Sequence, residues 1–209
     1  MADRKRGFFL VLEGLPGSGK TTIGQILAPR GWTYFPEIAT VLGKNEIPIG
    51  DQGTTLTDFT VFNEEIHRMA EIGKLVSNGK DVAVDGYLPT DLSFAYARYT
   101  RHQSMCYPTL FSYYINALVQ GSILKPNLYV FLDIPINTSV ERQRTRNNEM
   151  LTTLSLDMLQ NVTKHLDYVH EIFESDVPVI RVNATKLQGE ITEEILSAIQ
   201  RRREELKIE

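Results

Sequence analysis

The sequence has very little cysteine: Cys106 is the single one among 209 residues. One thiol excludes an internal disulfide and a zinc site built from clustered cysteines, and it fits a reducing, cytoplasmic setting. Long apolar runs are also missing. The longest, such as Phe8–Leu12, are about five residues, whereas a helix that crosses a bilayer needs roughly 20. We therefore expect a cytoplasmic protein with no membrane partner.

An excess of basic residues is absent as well. The formal net charge is −4 at pH 7, whereas domains that bind nucleic acid polymers carry clustered positive charge. The composition, 42% hydrophobic and 23% charged, is typical of a globular protein. The length predicts one domain over 1–209, and no linker interrupts it. The histidines have no metal-ligand spacing with one another or with Cys106.

Short apolar runs predict strands that are covered on both faces, as in a parallel sheet. There are five: Phe8–Glu13, Trp32–Phe35, Val82–Asp85, Leu128–Ile134 and Val177–Val182. Segments between them have apolar residues at helical spacing, most clearly Thr57–Asn78 and Leu156–Phe173. This alternation predicts an open α/β sheet, in which ligands bind beyond the carboxyl ends of the strands. The predicted loops are Lys44–Gly53, the stretch around Tyr107-Pro108, and Asn147–Thr153.

A phosphate-binding loop follows the first predicted strand. Residues Gly14–Thr21 match G-x-x-x-x-G-K-[ST] at every fixed position, and a predicted helix follows. Glycines let backbone N–H groups surround a phosphate, Lys20 would reach the β- and γ-phosphates, and Thr21 would bind Mg²⁺. We expect ATP to contact Gly14, Pro16, Gly17, Ser18, Gly19, Lys20, Thr21 and Thr22.

Two large classes of phosphate-loop protein are disfavoured. The D-x-x-G motif of GTPases does not occur, and Thr185–Gln188 lacks the aspartate that would recognise guanine. The strand ending at Asp85 continues with Gly86, and not with the glutamate that polarises water in mechanical ATPases. Transfer of a phosphoryl group to a bound acceptor is therefore the better interpretation.

Four segments in order along the chain resemble the thymidylate kinase and deoxynucleoside kinase group of phosphate-loop kinases. They are Phe9–Thr22, the stretch from Asn78 through Tyr87 to Tyr96, the stretch from Pro126 through Asp133 to Arg146, and Ile180–Ala184. The resemblance implies a three-layer P-loop NTPase fold, with a mainly parallel five-stranded sheet and an arginine-bearing lid at about 137–153. It also implies Mg-ATP as the donor and a small nucleoside or nucleotide as the acceptor.

The resemblance also implies roles for individual residues. Asp85 would bind Mg²⁺ with Thr21 or orient the acceptor hydroxyl, and Glu37 would be a general base or hydroxyl anchor. Arg142 and Arg146, four residues apart on a predicted helix, would stabilise the transferring phosphoryl group. Arg144 would meet adenine or solvent, and Asn183 and Ala184 would pass the adenine. The alternatives left open are a helix-cap or turn role for Asp85, an exposed loop position for Glu37, and a solvated basic helix for the lid arginines.

The acceptor side departs from the family pattern. Gly86 stands where the family has an arginine after the strand, and Glu64 stands near the position of a phosphate-binding arginine in the preceding helix. Arg98, Arg101 or Lys44 would have to compensate. Phe62, Tyr87 and Tyr96 either contact a flat acceptor ring or belong to the core. Without compensation, an uncharged hydroxyl acceptor fits Glu37 and Glu64 better than a monophosphate does.

Two other hypotheses remain at this point. One is a kinase of a different small molecule, such as a cofactor precursor or an antibiotic. The other is a nucleotide-binding regulatory module without transfer activity. This hypothesis remains because Gly86 and Glu64 stand where the resembling family has arginines. Members of the resembling group are often dimers through long helices, and the apolar stretch Leu110–Leu124 predicts a homodimer here.

Overall fold

Five parallel strands form one sheet in the computed structural model, which describes residues 6–43, 47–145, 154–174 and 177–208. The strands run in the order β2-β3-β1-β4-β5, and every neighbouring pair is parallel. Their bounds are β1 (Phe9–Glu13), β2 (Thr33–Phe35), β3 (Val82–Asp85), β4 (Leu128–Asp133) and β5 (Val179–Asn183). The predicted parallel five-stranded sheet is confirmed.

Helices alternate with the strands. They are α1 (Lys20–Leu27), α2 (Ile38–Gly43), α3 (Thr55–Ser77), α4 (Leu88–Thr100), α5 (Tyr107–Val119), α6 (Ile136–Thr145), α7 (Leu156–Glu174) and α8 (Gln188–Leu206), with short 3-10 turns at Ala28–Arg30 and Gly50–Gln52. In the part of the chain that the structure describes, none of these helices has the length and apolar character needed to span a membrane.

The core has two layers, one on each face of the sheet. Successive residues of β1 point to opposite faces, so Leu10 and Leu12 enter one apolar cluster, with α1 and α8, while Phe9 and Val11 enter the other, with α4 and α5. All five residues of β1 are buried. This explains the unbroken apolar run in the sequence and confirms the three-layer architecture.

Some predicted boundaries were wrong. The stretch around Tyr107-Pro108 is the first turn of α5 and not a loop, because proline is tolerated where the helix has no backbone hydrogen bond to lose. The long third helix begins at Thr55, two residues before the prediction. Its start is fixed by Thr54, whose N–H donates to Thr57 Oγ1 at 2.9 Å. The predicted loop at 147–153 lies outside the described residues.

A buried histidine on α7 should make stability depend on pH. His170 is fully buried, and its two ring nitrogens have no hydrogen-bond partner. Its ring meets Phe131 of β4 edge-on, at 4.8 Å between centroids. Burial lowers the pKa of His170 to about 4, so the unfolded chain binds a proton below pH 6.5 that the folded chain does not. At pH 5.5 we expect this to lower the free energy of unfolding by about 1.4 kcal/mol.

Urea unfolding at pH 7.5 and pH 5.5 measures this effect. In His170→Leu the part of the acid destabilisation that comes from this ring should disappear, because the apolar side chain binds no proton. His67→Leu changes an exposed histidine of α3 and is the control. Equal acid destabilisation in wild type and His170→Leu would contradict the prediction.

Candidate active site

A cavity of about 120 Å³ lies at the carboxyl edge of the sheet. One wall is the phosphate-binding loop, through Pro16, Gly17, Gly19, Lys20 and Thr21. The opposite wall comes from the chain after β2, from α3 and from α4, through Glu37, Ala39, Thr40, Thr57, Val61, Thr90, Asp91, Phe94 and Arg98. This is where an open α/β sheet binds its ligands. Gln143 of α6 and Leu154, which precedes α7, also line the cavity.

The phosphate-binding loop has the backbone that its glycines predict. Gly14, Gly17 and Gly19 have φ values of +133°, +82° and +105°, a region that other residues avoid. At Gly14 a Cβ atom would also lie 2.5 Å from the carbonyl oxygen of Leu132. The loop ends where α1 begins, at Lys20. The positive end of the helix and the loop N–H groups therefore face the cavity edge, as a phosphate site requires.

Lys20 is buried, with 5% of its side chain exposed. Its ammonium donates to the carbonyl oxygen of Gly14 at 2.8 Å and lies 3.8 Å from Asp85 Oδ1. These partners hold the cation at the foot of the loop, where it also lines the cavity. A cation fixed in this position is suited to bind phosphate oxygens.

Asp85 ends β3 and faces the phosphate-binding loop. Its Oδ2 atom accepts hydrogen bonds from Thr21 Oγ1 at 2.7 Å and from the Tyr34 hydroxyl at 3.1 Å. Its Oδ1 atom is buried and has no hydrogen-bond partner. Hydroxyl and carboxylate oxygens are the ligands that Mg²⁺ prefers, so this pair of side chains fits a magnesium ion beside the loop. Asp85 makes no helix cap in this arrangement, because α4 begins only at Leu88.

Tyr34 is a site residue that the sequence analysis missed. It lies in the middle of β2, beside β3, and its ring packs against Gly24 of α1. A Cβ atom at Gly24 would come within 2.1 Å of the Tyr34 ring. Burial and the neighbouring Asp85 raise the pKa of the Tyr34 hydroxyl, so the hydroxyl stays a hydrogen-bond donor to that carboxylate. The signal in the sequence was an aromatic residue with a polar hydroxyl in the strand beside the one that ends at Asp85.

Glu37 lies two residues beyond β2 and lines the cavity. Its carbonyl oxygen accepts from Thr40 N–H at 3.0 Å, which starts α2, and its side chain is half-buried. The side chain is thus not on an exposed loop. Because Lys20 and Thr21 line the same cavity, the carboxylate of Glu37 shares one space with the phosphate-binding loop.

The wall opposite the phosphate-binding loop, which we call the acceptor wall, carries an ion pair. Arg98 of α4 is buried, and its Nε donates to Asp58 Oδ1 of α3 at 2.8 Å. The charge of this guanidinium is therefore balanced by a carboxylate that is itself buried. Asp58 Oδ2 has no hydrogen-bond partner. The placement of Arg98 beside the cavity agrees with the prediction, but the partner at Asp58 was not foreseen.

Beneath this wall lies a buried cluster of three carboxyls and one guanidinium: Glu13, Glu65, Arg68 and Asp91. Glu13 accepts from the backbone N–H of Tyr87 at 3.1 Å and from the Thr90 hydroxyl. Burial raises the pKa of Glu13 to about 7. Burial, and then the charge of Glu65, raise the pKa of Asp91 well above its usual range. Asp91 is the member of this cluster that lines the cavity.

Arg142 of α6 crosses to the phosphate-binding loop. Its guanidinium donates to the carbonyl oxygen of Gly17 at 3.1 Å and to that of Ala184, after β5, at 3.0 Å. Ala184 is buried, while Asn183 accepts from the Thr185 hydroxyl at 2.7 Å in an exposed turn. Arg144 is exposed. Arg146 lies outside the described residues, so its expected place on the face of Arg142 stays a prediction.

Four residues expected at the acceptor do not line the cavity. Tyr87 is fully buried, packs edge-on against Phe9 and donates its hydroxyl to Leu124 O at 2.9 Å. Phe62 packs between α3 and α5, and Tyr96 stacks on a histidine of α7. Tyr87 is a core residue, and Phe62 packs against the same apolar cluster while partly buried. Tyr96 is half-buried among other rings, so packing, the other interpretation, describes all three. Glu64 was placed wrongly: it is exposed on α3, because the helix turns its neighbour Glu65 inward.

Arg101 and Lys44 were the other cations expected to compensate at the acceptor, and neither is found at the cavity among the described residues. Arg101 donates to Asp51 and to Ser155, and thereby joins the 3-10 turn before α3 to the start of α7. It does not line the cavity. Lys44 lies outside the described residues.

Comparisons with known proteins show which family the chain resembles. A scan against family models finds no match. The protein named "Probable thymidylate kinase" of Pyrococcus abyssi is 27% identical over 213 residues, which cover 93% of this chain and 96% of that protein. The thymidylate kinase of Alkalilimnicola ehrlichii is 30% identical over 160 residues, which cover 68% of each chain.

Solved structures share the fold at lower identity. Deoxyadenosine kinase from M. mycoides with bound dATP superposes with a TM-score of 0.67 and 18% identity, covering 92% of this chain and 100% of that one. The same enzyme with dCMP and dCDP gives a TM-score of 0.68. The phosphate-binding loop, the strand order and these likenesses support one conclusion: the chain belongs to the thymidylate kinase family of P-loop phosphotransferases.

Proposed function

We propose that this protein is a kinase that transfers the γ-phosphoryl group of Mg-ATP to the hydroxyl of a nucleoside. The observation that carries the proposal is the charge of the acceptor wall. Among the described residues of that wall, Arg98 is the cation, and Asp58 neutralises it. Glu37 adds a negative charge. Such a wall suits an uncharged acceptor, since a monophosphate brings close to two negative charges of its own.

The donor half would use the phosphate-binding loop. Lys20 and the loop N–H groups bind the β- and γ-phosphates, and Thr21 and Asp85 hold Mg²⁺. The bound ion would neutralise charge on the phosphate oxygens. Arg142, which contacts both the loop and Ala184, would stabilise the charge of the γ-phosphoryl group during its transfer. Asn183, Ala184 and Arg144 lie toward the adenine end.

The acceptor half would activate the hydroxyl. Glu37 accepts the proton of the acceptor hydroxyl while the hydroxyl oxygen forms a bond to the γ-phosphorus. The bond from that phosphorus to the bridging oxygen breaks, and ADP leaves with the electron pair. Thr90, Asp91 and Arg98 are the polar residues of α4 that line the cavity and would orient the acceptor.

A panel of deoxynucleosides, ribonucleosides and their monophosphates tests the acceptor. We expect ADP formation with Mg-ATP and at least one nucleoside, and at least tenfold lower kcat/KM with the matching monophosphate. The control is Lys20→Ala protein purified in the same way, which reports contaminating kinase. Turnover with monophosphates and none with nucleosides would overturn the proposal.

A nucleoside monophosphate is the second candidate acceptor, and the curated relatives favour it because they are named thymidylate kinases. In that case a cation must face the acceptor phosphate, and Arg98 would have to leave Asp58. Phosphorylation of thymidylate but not thymidine is the result that distinguishes this candidate. A kinase of an unrelated small molecule would turn over neither.

The wider organisation is part of the same proposal. We propose one kinase domain over 1–209, with a lid at about 137–153, of which 146–153 lie outside the described residues. The homodimer and the cytoplasmic location expected from the sequence stay predictions.

A further inference from the structure

Arg68 occupies an unusual position among the buried charges of α3. Its side chain is 7% exposed, and it does not line the cavity, so it cannot reach a ligand there. Its Nη1 donates to the carbonyl oxygen of Pro36 at 3.2 Å, and its Nη2 donates to that of Gly86 at 2.6 Å. One guanidinium thus joins the backbone beyond β2 to the backbone beyond β3.

This link continues the sheet where direct pairing stops. The β2–β3 pairing ends at Phe35 and Val84. Just beyond these residues, the guanidinium of Arg68 donates to the carbonyl oxygens of Pro36 and Gly86, and it thereby links the two chain segments after their strand pairing has ended. A planar guanidinium spreads its N–H groups over three nitrogens in a rigid fork, so it can bind two separated carbonyls and a carboxylate at once, whereas an ammonium has its three donors on a single nitrogen.

The two carbonyls adjoin the two carboxylates of the proposed reaction. Pro36 directly precedes Glu37, and Gly86 directly follows Asp85. We propose that Arg68 is a positioning residue: its guanidinium fixes the spacing between Glu37 at the acceptor and Asp85 at the donor phosphates. This inference rests on the proposed function, and it assigns a role to a residue that touches neither substrate.

The surroundings of Arg68 explain how the fold keeps this cation. Glu65, one helical turn earlier, forms an ion pair with it, and Asp91 and Glu13 lie near enough to act on the same charges. Burial raises the pKa of each of these three carboxyls. One of these carboxyls can therefore take up a proton when the Arg68 cation is removed. The variants below thus need not leave several unpaired negative charges in the core.

Two variants separate positioning from stability. Arg68→Lys keeps the charge opposite Glu65 but replaces the two nitrogens that bind the two carbonyls with a single one, which weakens the link. Glu65→Leu/Arg68→Met replaces the ion pair with apolar side chains, a change that is often neutral or stabilising in buried pairs. For both, we expect kcat to fall by about 10–100-fold at 25 °C, because misplacement by about 1 Å costs about that much. ATP affinity should stay within about threefold.

Arg203→Lys is the matched control. This arginine also lies in an ion pair, which is only partly buried, with Asp81 at the opposite edge of the sheet, and we expect its kcat to be unchanged. If the double variant unfolds no more easily than wild type and keeps its kcat within twofold, Arg68 has no positioning role. The acceptor used is the one that the panel identifies, so an error about nucleosides does not affect this result.

Amide hydrogen exchange gives a readout that needs no turnover. Loss of the link should speed exchange at 36–40 and 86–90 in both Arg68 variants, and not in Arg203→Lys. Unchanged exchange in these two segments would overturn the inference. Faster exchange in a protein that phosphorylates nothing in the panel would support the link and refute only the proposed function.

Discussion

Lys20→Ala is expected to lower kcat/KM by about 10²–10³-fold, the usual cost of removing one preorganised group that stabilises transition-state charge. The ammonium is buried at the foot of the phosphate-binding loop, and among the residues that the structure describes no second lysine lines the cavity. No neighbouring lysine can therefore replace it. The measurement is steady-state ADP formation with the best acceptor of the panel.

Lys80→Ala is the control for this change, because Lys80 is an exposed lysine just before β3. Its kcat/KM should match that of wild type. Circular dichroism should show that Lys20→Ala folds, although its hydrogen bond to Gly14 is lost. A loss smaller than tenfold would mean that the loop N–H groups alone bind the donor phosphates.

Glu37→Gln is expected to lower kcat by about 10²–10⁴-fold, the contribution of a general base. The amide keeps the size and the hydrogen-bonding oxygen of the side chain but cannot accept the hydroxyl proton. ATP affinity should change little, since the phosphate-binding loop is on the other wall of the cavity. Single-turnover kinetics with saturating ATP and acceptor isolates the chemical step from product release.

Glu64→Gln is the matched control for Glu37→Gln, because this glutamate is exposed on the outer side of α3. Its kcat should be that of wild type. If Glu37→Gln retains kcat within threefold, the proton goes to another group. Asp85→Asn would then be the next variant, since the carboxylate of Asp85 is also near the phosphate-binding loop.

The donor half could be predicted because its determinants are local. Gly14–Thr21 are consecutive, and the strand before them is apolar. The conformation of the loop depends on positive φ angles that glycine adopts easily. The parallel sheet followed from the same kind of signal, since β1, β3 and β4 are apolar runs that end in a single acidic residue. Boundaries were less certain where a proline or a cap decides the first turn, as at Pro108 and Thr54.

The acceptor half could not be predicted to the same extent, because its partners lie far apart in sequence. Asp58 and Arg98 are 40 positions apart, and Arg68 reaches Pro36 across 32. A count back from Asp85 led to Glu64, which is exposed. One residue is 100° around a helix, so a count along the chain does not say which side chain of that turn faces inward, and here it is Glu65.

The strand order has a consequence for how such an enzyme changes its substrate. β1 is central: α6 and the turn at Ala184 follow β4 and β5 on one side, and the wall opposite the phosphate-binding loop follows β2 and β3 on the other. If the proposed function holds, substitutions in α3 or at the start of α4 would alter the acceptor wall without touching the phosphate-binding loop. Acceptor preference could then diverge while the residues proposed to bind the phosphate donor stay constant.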